Sequence, residues 1–308
     1  MNYPKNHMKK ITKIKRIVTH DGPFHSDDIF SCAVISLVLE KRGIKYKIIR
    51  TRSKDIVDSG DFVVDTGGIY NERKNIFDHH QKGGAGKRKN GIEYASFGLV
   101  WRKFGAEISG SAKTAMFIDN SLVSAIDADD NGISLYKNTH EVSPFIVPDL
   151  FKFLRPTWRE PVADYSKNFL KAVKIAKEVL SRAIVHTGDE MLAEQIIIGC
   201  YKRAKNKKII VLNKYYPFKK TFDKFSLTLF VIFPRENEKH WVIKTVNKKG
   251  ESFISRKDFP KSWAGLQCEE LQKVTGVKDA LFCHKGRFLA AAKSKEGAIK
   301  LAQIAVES

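Results

Sequence analysis

A chain of 308 residues, 43% hydrophobic and 11% aromatic, can bury a sizeable core, which excludes a disordered or fibrous class and allows one large domain or two ordinary ones. The formal net charge of +21 points to a polyanion partner (RNA, DNA or an anionic membrane surface), with a solvated lysine-rich surface as the plainer reading. The four cysteines, Cys32, Cys200, Cys268 and Cys283, form no Cys-x-x-Cys pair, which argues against a zinc knuckle or redox dithiol and for a reducing compartment.

No apolar run approaches the ~20 residues that span a bilayer. The basic start, residues 1–16, lacks the apolar segment of a signal peptide, so a soluble cytoplasmic protein without a membrane partner is expected. Residues 14–19 predict a first strand through their β-branched side chains. It runs into His20-Asp21-Gly22-Pro23-Phe24-His25-Ser26-Asp27-Asp28, where Gly22-Pro23 predicts a turn and Ser26 or Asp27 can cap a helix over 28–42. That helix is apolar on most sides, so it packs on a sheet. A polar loop between a buried strand and a buried helix is where open α/β sheets place ligands. By itself Asp27 reads as a cap; together with His20 and His25 it reads as part of a site.

Residues 46–51 predict a second strand and 61–68 a third, in which Asp65 closes an apolar run before Gly67-Gly68 as a metal ligand or a turn cap. A fourth strand over 76–80 ends in Asp78-His79-His80. A carboxylate and two imidazoles in sequence suit a divalent metal, the alternative being a surface loop. The glycine-rich, basic run 83–91 carries Arg88 and can wrap phosphate through backbone N–H groups, or be a mobile surface loop. Ser96 caps a helix through Phe104, and one helix is expected from 111 to 128. Asp127, Asp129 and Asp130 crowd its C-terminal end, where carboxylates oppose the helix dipole; a cation would resolve that conflict, unless the segment is a solvated turn.

Residues 144–158 read as a helix and a proline-marked turn. Residues 161–205 read as one very long connecting helix or as two in tandem with Gly188 as the break, dividing a domain over 12–188 from one over 189–308. Beyond it, 201–224 is densely basic with Tyr201, Tyr215, Tyr216, Phe218 and Phe222 interleaved, a pattern that suits single-stranded nucleic acid, although some of those rings must be core. Strands over 209–212, 227–233, 242–246, 280–284 and 288–292 and a closing helix over 295–306 complete a smaller α+β domain.

The combination His20-x4-His25-x-Asp27, Asp65, Asp78-His79-His80 and Asp127-x-x-Asp130-Asn131-Gly132 resembles the metal-site motifs of the DHH phosphoesterase superfamily. With Tyr94-Ala95-Ser96-Phe97-Gly98, and in the C-terminal part Arg256, Pro260-x-x-Trp263 and Phe282-x-His284, it is similar to the melanocyte-proliferating-gene (MYG) exonuclease family over nearly the whole chain. The resemblance implies an α/β fold: a parallel-sheet DHH-type domain, then a family-specific C-terminal domain, with a metal cleft between them. It departs from the superfamily in the first motif, where His25 stands in place of an Asp and the spacing is one residue longer, which favours a softer ion than magnesium. The superfamily's glycine-rich substrate motif is absent, so its substrate grip does not carry over.

These motifs imply a two-metal phosphodiesterase. His20, His25 and Asp65 would hold one divalent ion, and Asp27, Asp65, His79 and Asp127 the other, with manganese ahead of magnesium, cobalt and zinc. Asp78 would orient His79 or His80, and His80 would protonate the leaving oxygen or contact the phosphate. Arg88, Arg256, His284 and Lys285, and more weakly Arg287, would grip phosphate. The expected activity is 3′-to-5′ hydrolysis of RNA, or of DNA. The competing readings are a hydrolase of small phosphorylated molecules or short oligonucleotides, a non-catalytic nucleic-acid-binding protein with a structural metal, and a peptidase.

Overall fold

The computed structural model describes residues 14–160, 165–235, 237, 239–251 and 253–308. The chain divides into two compact units, Met1–Gly188 and Asp189–Ser308, and each is built on its own five-stranded sheet.

In the first unit the apolar runs form β1 (Lys15–Thr19), α1 (Ser26–Lys41), β2 (Tyr46–Arg50), α2 (Lys54–Asp58), β3 (Phe62–Val64), β4 (Tyr70–Asn71) and β5 (Ile76–Phe77). They are followed by α3 (Ser96–Ser109), α4 (Ala112–Ile118), α5 (Ser124–Asp130) and α6 (Val147–Lys152). The sheet order is β2-β1-β3-β5-β4. The first four strands are parallel and β4 is an antiparallel edge. Register decides what the sheet can do. Val18 is level with Val63, and Val64 with Phe77. Carried on past each strand end, that alignment brings His20, Asp65 and Asp78 to the same edge. This is the carboxyl edge of a parallel sheet, the usual ligand position of open α/β folds. α1 has buried residues on every side, among them Phe30, Val34 and Val38, and Phe30 stacks on Phe97 of α3 at 5.0 Å. It is a core helix, as its apolar circumference requires.

Two elements depart from the sequence reading, and a third decides between its alternatives. The fourth strand ends at Phe77, so Asp78, His79 and His80 lie beyond the ladder with their side chains free to converge. The helix expected over 111–128 is interrupted by a π turn at Asp119–Val123, a local widening that redirects side chains and often marks functional positions. Within the helix expected over 161–205, residues 161–164 lie outside the described residues. The remainder, α7 (Tyr165–Arg203), is continuous through Gly188. A glycine inside a helix costs only about 1 kcal/mol, which the apolar faces on either side of it outweigh.

The second unit contains β6 (Ile209–Val211), α8 (Lys219–Phe222), β7 (Phe230–Arg235), β8 (His240–Thr245), α9 (Cys268–Thr275), β9 (Ala280–Cys283), β10 (Leu289–Ala292) and α10 (Lys295–Glu307). Its sheet order is β6-β7-β8-β10-β9, parallel only between β6 and β7. One face, with Phe230, Ile232, Ile243 and Ala290, is buried with Leu301 and Ala305 of α10. The other, with Val231, Phe233 and Val242, is buried with Ala193 and Ile197 of α7 and Phe222 of α8. The molecule is therefore α/β, a mostly parallel sheet unit followed by a smaller α+β unit. No described helix is long and apolar enough to cross a membrane.

Candidate metal centre

Each strand end delivers one part of a cluster. His20 follows β1, and its Nδ1 lies 2.8 Å from the Asp21 carbonyl. That contact makes Nδ1 an N–H donor and turns Nε2 inward. Nε2 sits 3.0 Å from Asp28 Oδ2 and 3.2 Å from Asp65 Oδ2. Asp65, directly after β3, has φ 51°, a left-handed conformation uncommon outside glycine. There its two oxygens face different partners. Oδ2 meets His20, while Oδ1 lies 3.6 Å from His79 Nε2 and 3.5 Å from His80 Nδ1. His79 Nε2 is also 3.1 Å from Asp130 Oδ2.

The N-terminus of α3 completes the arrangement. The backbone N–H groups of Ser96 and Phe97, opening α3, donate to both oxygens of Asp27 at 3.2 and 2.6 Å. The Gly98 N–H donates to Asp127 Oδ1 at 3.0 Å. A helix N-terminus favours carboxylates through its unsatisfied N–H groups and its dipole. Asp78 accepts from Gly68 N–H at 2.6 Å and from His80 Nδ1 at 2.8 Å, so it steadies His80 and the Gly67-Gly68 turn.

Among the described residues three groups bring their ligand atoms within 4.8 Å of one another: His20, His25 and Asp65; Asp65, His79 and His80; and Asp27, His79 and Asp130. They fit divalent ions. Asp65 Oδ1 and His79 Nε2 are buried without a hydrogen-bond partner even though neighbouring polar atoms lie 3.1–3.6 Å away. Ligands held about 2.1 Å from an octahedral ion lie about 3 Å apart, so this spacing is that of atoms sharing a cation. A buried carboxylate otherwise requires a donor.

Electrostatics points the same way. Burial pushes the Asp27 and Asp28 carboxyls up; neighbouring Asp130 and Asp65 add to this at Asp27, whereas His20 pulls Asp28 back. Burial also opposes ionisation of Asp65, but His20 and His79 beside it win and hold it well below the ordinary carboxylate range. Burial lowers the two imidazoles, yet Asp28 and Asp65 raise His20 to about 10, and Asp130 and Asp65 raise His79 to about 11. Without an ion the cluster is held together by protons, which a dication replaces.

Several sequence candidates sit elsewhere. Asp127 belongs to none of the three groups. Its Oδ2 is 2.7 Å from Arg88 Nη1, and Arg88 also makes a fork with Asp119 at 2.9 and 2.8 Å. Buried Arg88 is thus a structural cation rather than a grip on phosphate, and Asp130, one helical turn on, takes the inward position beside Asp27 and His79. In the second unit the Arg256 guanidinium donates to the carbonyls of Phe222, Phe225, Thr228 and Asn247, which leaves it no fork for phosphate. Arg287 pairs with Asp258 at 3.1 Å, and His284 Nδ1 accepts from Gly286 N–H. Lys285 is exposed. Asp28 was legible only as a helix-start residue. Its signal is adjacency to Asp27: neighbours on a helix point about 100° apart, one toward α3 and the other toward His20.

A parallel α/β sheet that ends in a His/Asp cluster with orphaned ligand atoms defines a candidate divalent-metal centre of the hydrolase class. The MYG1 exonuclease family model, described as an uncharacterised protein family (UPF0160), matches residues 16–306; the chain belongs to that family and is an enzyme of its hydrolytic class. It is 28% identical to human MYG1 exonuclease, over 97% of this chain and 88% of the relative. It is 27% identical to the MYG1 protein of Schizosaccharomyces pombe, over 96% and 99%. Among solved structures, RecJ from Thermus thermophilus in complex with Mn²⁺ aligns with 96% of this chain at 13% identity and a TM-score of 0.27; the chain spans about half of that RecJ chain, 52%.

Proposed function

We propose that this enzyme is a metal-dependent phosphodiesterase that acts as a 3′-to-5′ exonuclease on single-stranded RNA, or on DNA, in the cytoplasm. The observation that carries the reading is Asp65, whose left-handed backbone turns one oxygen to His20 and the other to His79, the geometry of a carboxylate shared by two ions. His20, His25 and Asp65 would hold the first ion and Asp27, Asp65, His79 and Asp130 the second. The mixed imidazole and carboxylate donors favour manganese.

Bound there, two divalent ions supply a water of lowered pKa and offset charge on the phosphoryl oxygens. The chain's own residues do the rest. Asp78 fixes His80 through Nδ1. The His80 side chain is 62% exposed, and with both ring nitrogens protonated it can give the Nε2 proton to the leaving oxygen. Asp27, clamped by the α3 N-terminus, cannot swing away as charge builds up.

The test is hydrolysis of 5′-labelled single-stranded RNA with added Mn²⁺, beside Asp65→Asn and the Asp78→Ala/His79→Ala double variant. A ladder of shortened products in the parent, reduced on the order of a hundredfold or more in both variants, is expected. Intact RNA across manganese, magnesium, cobalt and zinc would overturn the polymer reading and leave small phosphoesters as the substrate.

A further inference from the structure

Lys244 lies on β8, the central strand of the second sheet, level with Val231 on β7 and Leu289 on β10. Alternation places it on the same face as Phe233 and Val242, whose side chains are buried beside α7 and α8. A lysine in that row is poorly placed against a helix, because its ammonium must reach water or an anion. Instead the sheet opens at this point into a cavity of about 630 Å³, lined by Lys214, Tyr215, Phe233, Arg235, Lys244 and Leu289 among others. That volume is within the roughly 300–1,000 Å³ of clefts that hold small organic ligands.

Lys214, Arg235 and Lys244 are the cations among its described lining residues. Tyr215 is 58% exposed. Its ring is braced edge-on by Phe233 at 5.2 Å and by Phe218 at 6.2 Å, so it is held in place while much of its surface faces the opening. The neighbouring Tyr216, Phe218 and Phe222 are buried core. Of the aromatics interleaved with the basic run after β6, Tyr215 is thus the ring presented at the cavity mouth. A fixed aromatic ledge ringed by cations suits a planar group joined to an anion, which is the chemistry of a nucleotide.

The geometry points to a nucleotide subsite on the second sheet, where an unpaired base of a single-stranded nucleic acid stacks on Tyr215 and its phosphates lie against Lys214 and Lys244. The subsite rests on the nucleic-acid reading of the enzyme, but it shares no residue with the metal centre.

The test is equilibrium binding of a short fluorescent single-stranded RNA to the full-length, metal-free protein, which cannot cut it. Tyr215→Ala should weaken binding about tenfold, whereas Tyr215→Phe, which keeps the ring, should bind as the parent does. Lys214→Ala/Lys244→Ala should lower affinity and flatten the slope of log affinity against log salt by about 0.7 for each phosphate left without its cation. Parental affinity in both Tyr215→Ala and the lysine variant would overturn the subsite and leave the exonuclease reading intact. Absence of RNA binding by the parent would also overturn it, and Mn²⁺-dependent turnover of the same RNA then shows separately whether the exonuclease reading survives. Thermal melting shows whether each variant folds. Where one does not, photo-crosslinking of 4-thiouridine RNA to the parent decides: an adduct on the peptide containing Tyr215 supports the subsite, and adducts confined to other peptides overturn it.

Discussion

Gly98 shows how closely the centre is built at the level of single atoms. A Cβ on this residue would come within 1.9 Å of Asp127 Oδ2 and 2.7 Å of Arg88 Nη2. Only glycine fits, because the buried ion pair occupies the space a side chain would need. Gly98→Ala should therefore push the Asp127–Arg88 pair apart and destabilise the first unit by about 2–4 kcal/mol, measured by denaturant unfolding. Arg88→Met should cost about 3–5 kcal/mol, because it strands the Asp127 carboxylate in the core, and Arg88→Lys should rescue little, since an ammonium cannot fork to Asp119. In the metal-free protein His20 and His79 are raised from 6.5 to about 10 and 11. Their contribution to stability is complete below pH 6.5 and is lost as pH rises through 10–11. Both rings must shed a proton to ligate, so Mn²⁺ binding at pH 7 should release protons. Calorimetry in buffers of differing ionisation enthalpy measures that release, and a buffer-independent heat would count against these ligands.

At the scale of elements, the centre depends on how helices begin and where one is interrupted. The first turn of α3 binds Asp27 and Asp127 through three successive N–H groups. The π turn between α4 and α5 carries Asp119 to Arg88, and Arg88 in turn ties down the basic loop that follows His80. In the second unit Arg256 plays the corresponding structural part by joining the end of α8 to the β7–β8 region through four carbonyls. Arg256→Ala should lower the stability of the second unit by about 2–4 kcal/mol through the stranded carbonyls. It should leave Mn²⁺ stoichiometry and the salt dependence of RNA binding unchanged; a flattened salt slope would instead make Arg256 a phosphate contact.

For the whole molecule, the charge of +21 becomes a statement about substrate. A partner that contacts many phosphates displaces many counterions, so turnover of a long single strand should fall steeply between roughly 50 and 200 mM salt while turnover of a dinucleotide changes little. Equal salt dependence for the two would confine the substrate to the metal centre and demote the basic surface to a solvated one. The two units also have separate cores, so the metal and the strand can be monitored apart. Hydrogen exchange should slow in the first unit when Mn²⁺ binds.

Much of this architecture follows from local signals. β-branched runs, glycine-marked ends and the apolar circumference of α1 define the elements, and they place His20 just beyond the first strand and Asp65 and Asp78 toward the ends of the third and fourth; the ladders then stop short of both carboxylates, at Val64 and Phe77. What could not be read locally was decided by contacts between residues far apart in the chain. Asp127 and Asp130 share one helix, and only the position of Arg88, far upstream in the chain, turns the first into an ion-pair partner and leaves the second beside His79. Arg256 has the composition of a phosphate ligand until the carbonyls around it are located. Tyr215 and Tyr216 are adjacent and chemically identical, and packing alone buries one and exposes the other. Residue type and spacing determine which side chains can do chemistry. Partners, burial and the space around a missing Cβ determine which of them are available for it, because a charge or a ring already satisfied by its neighbours has nothing left to offer a ligand.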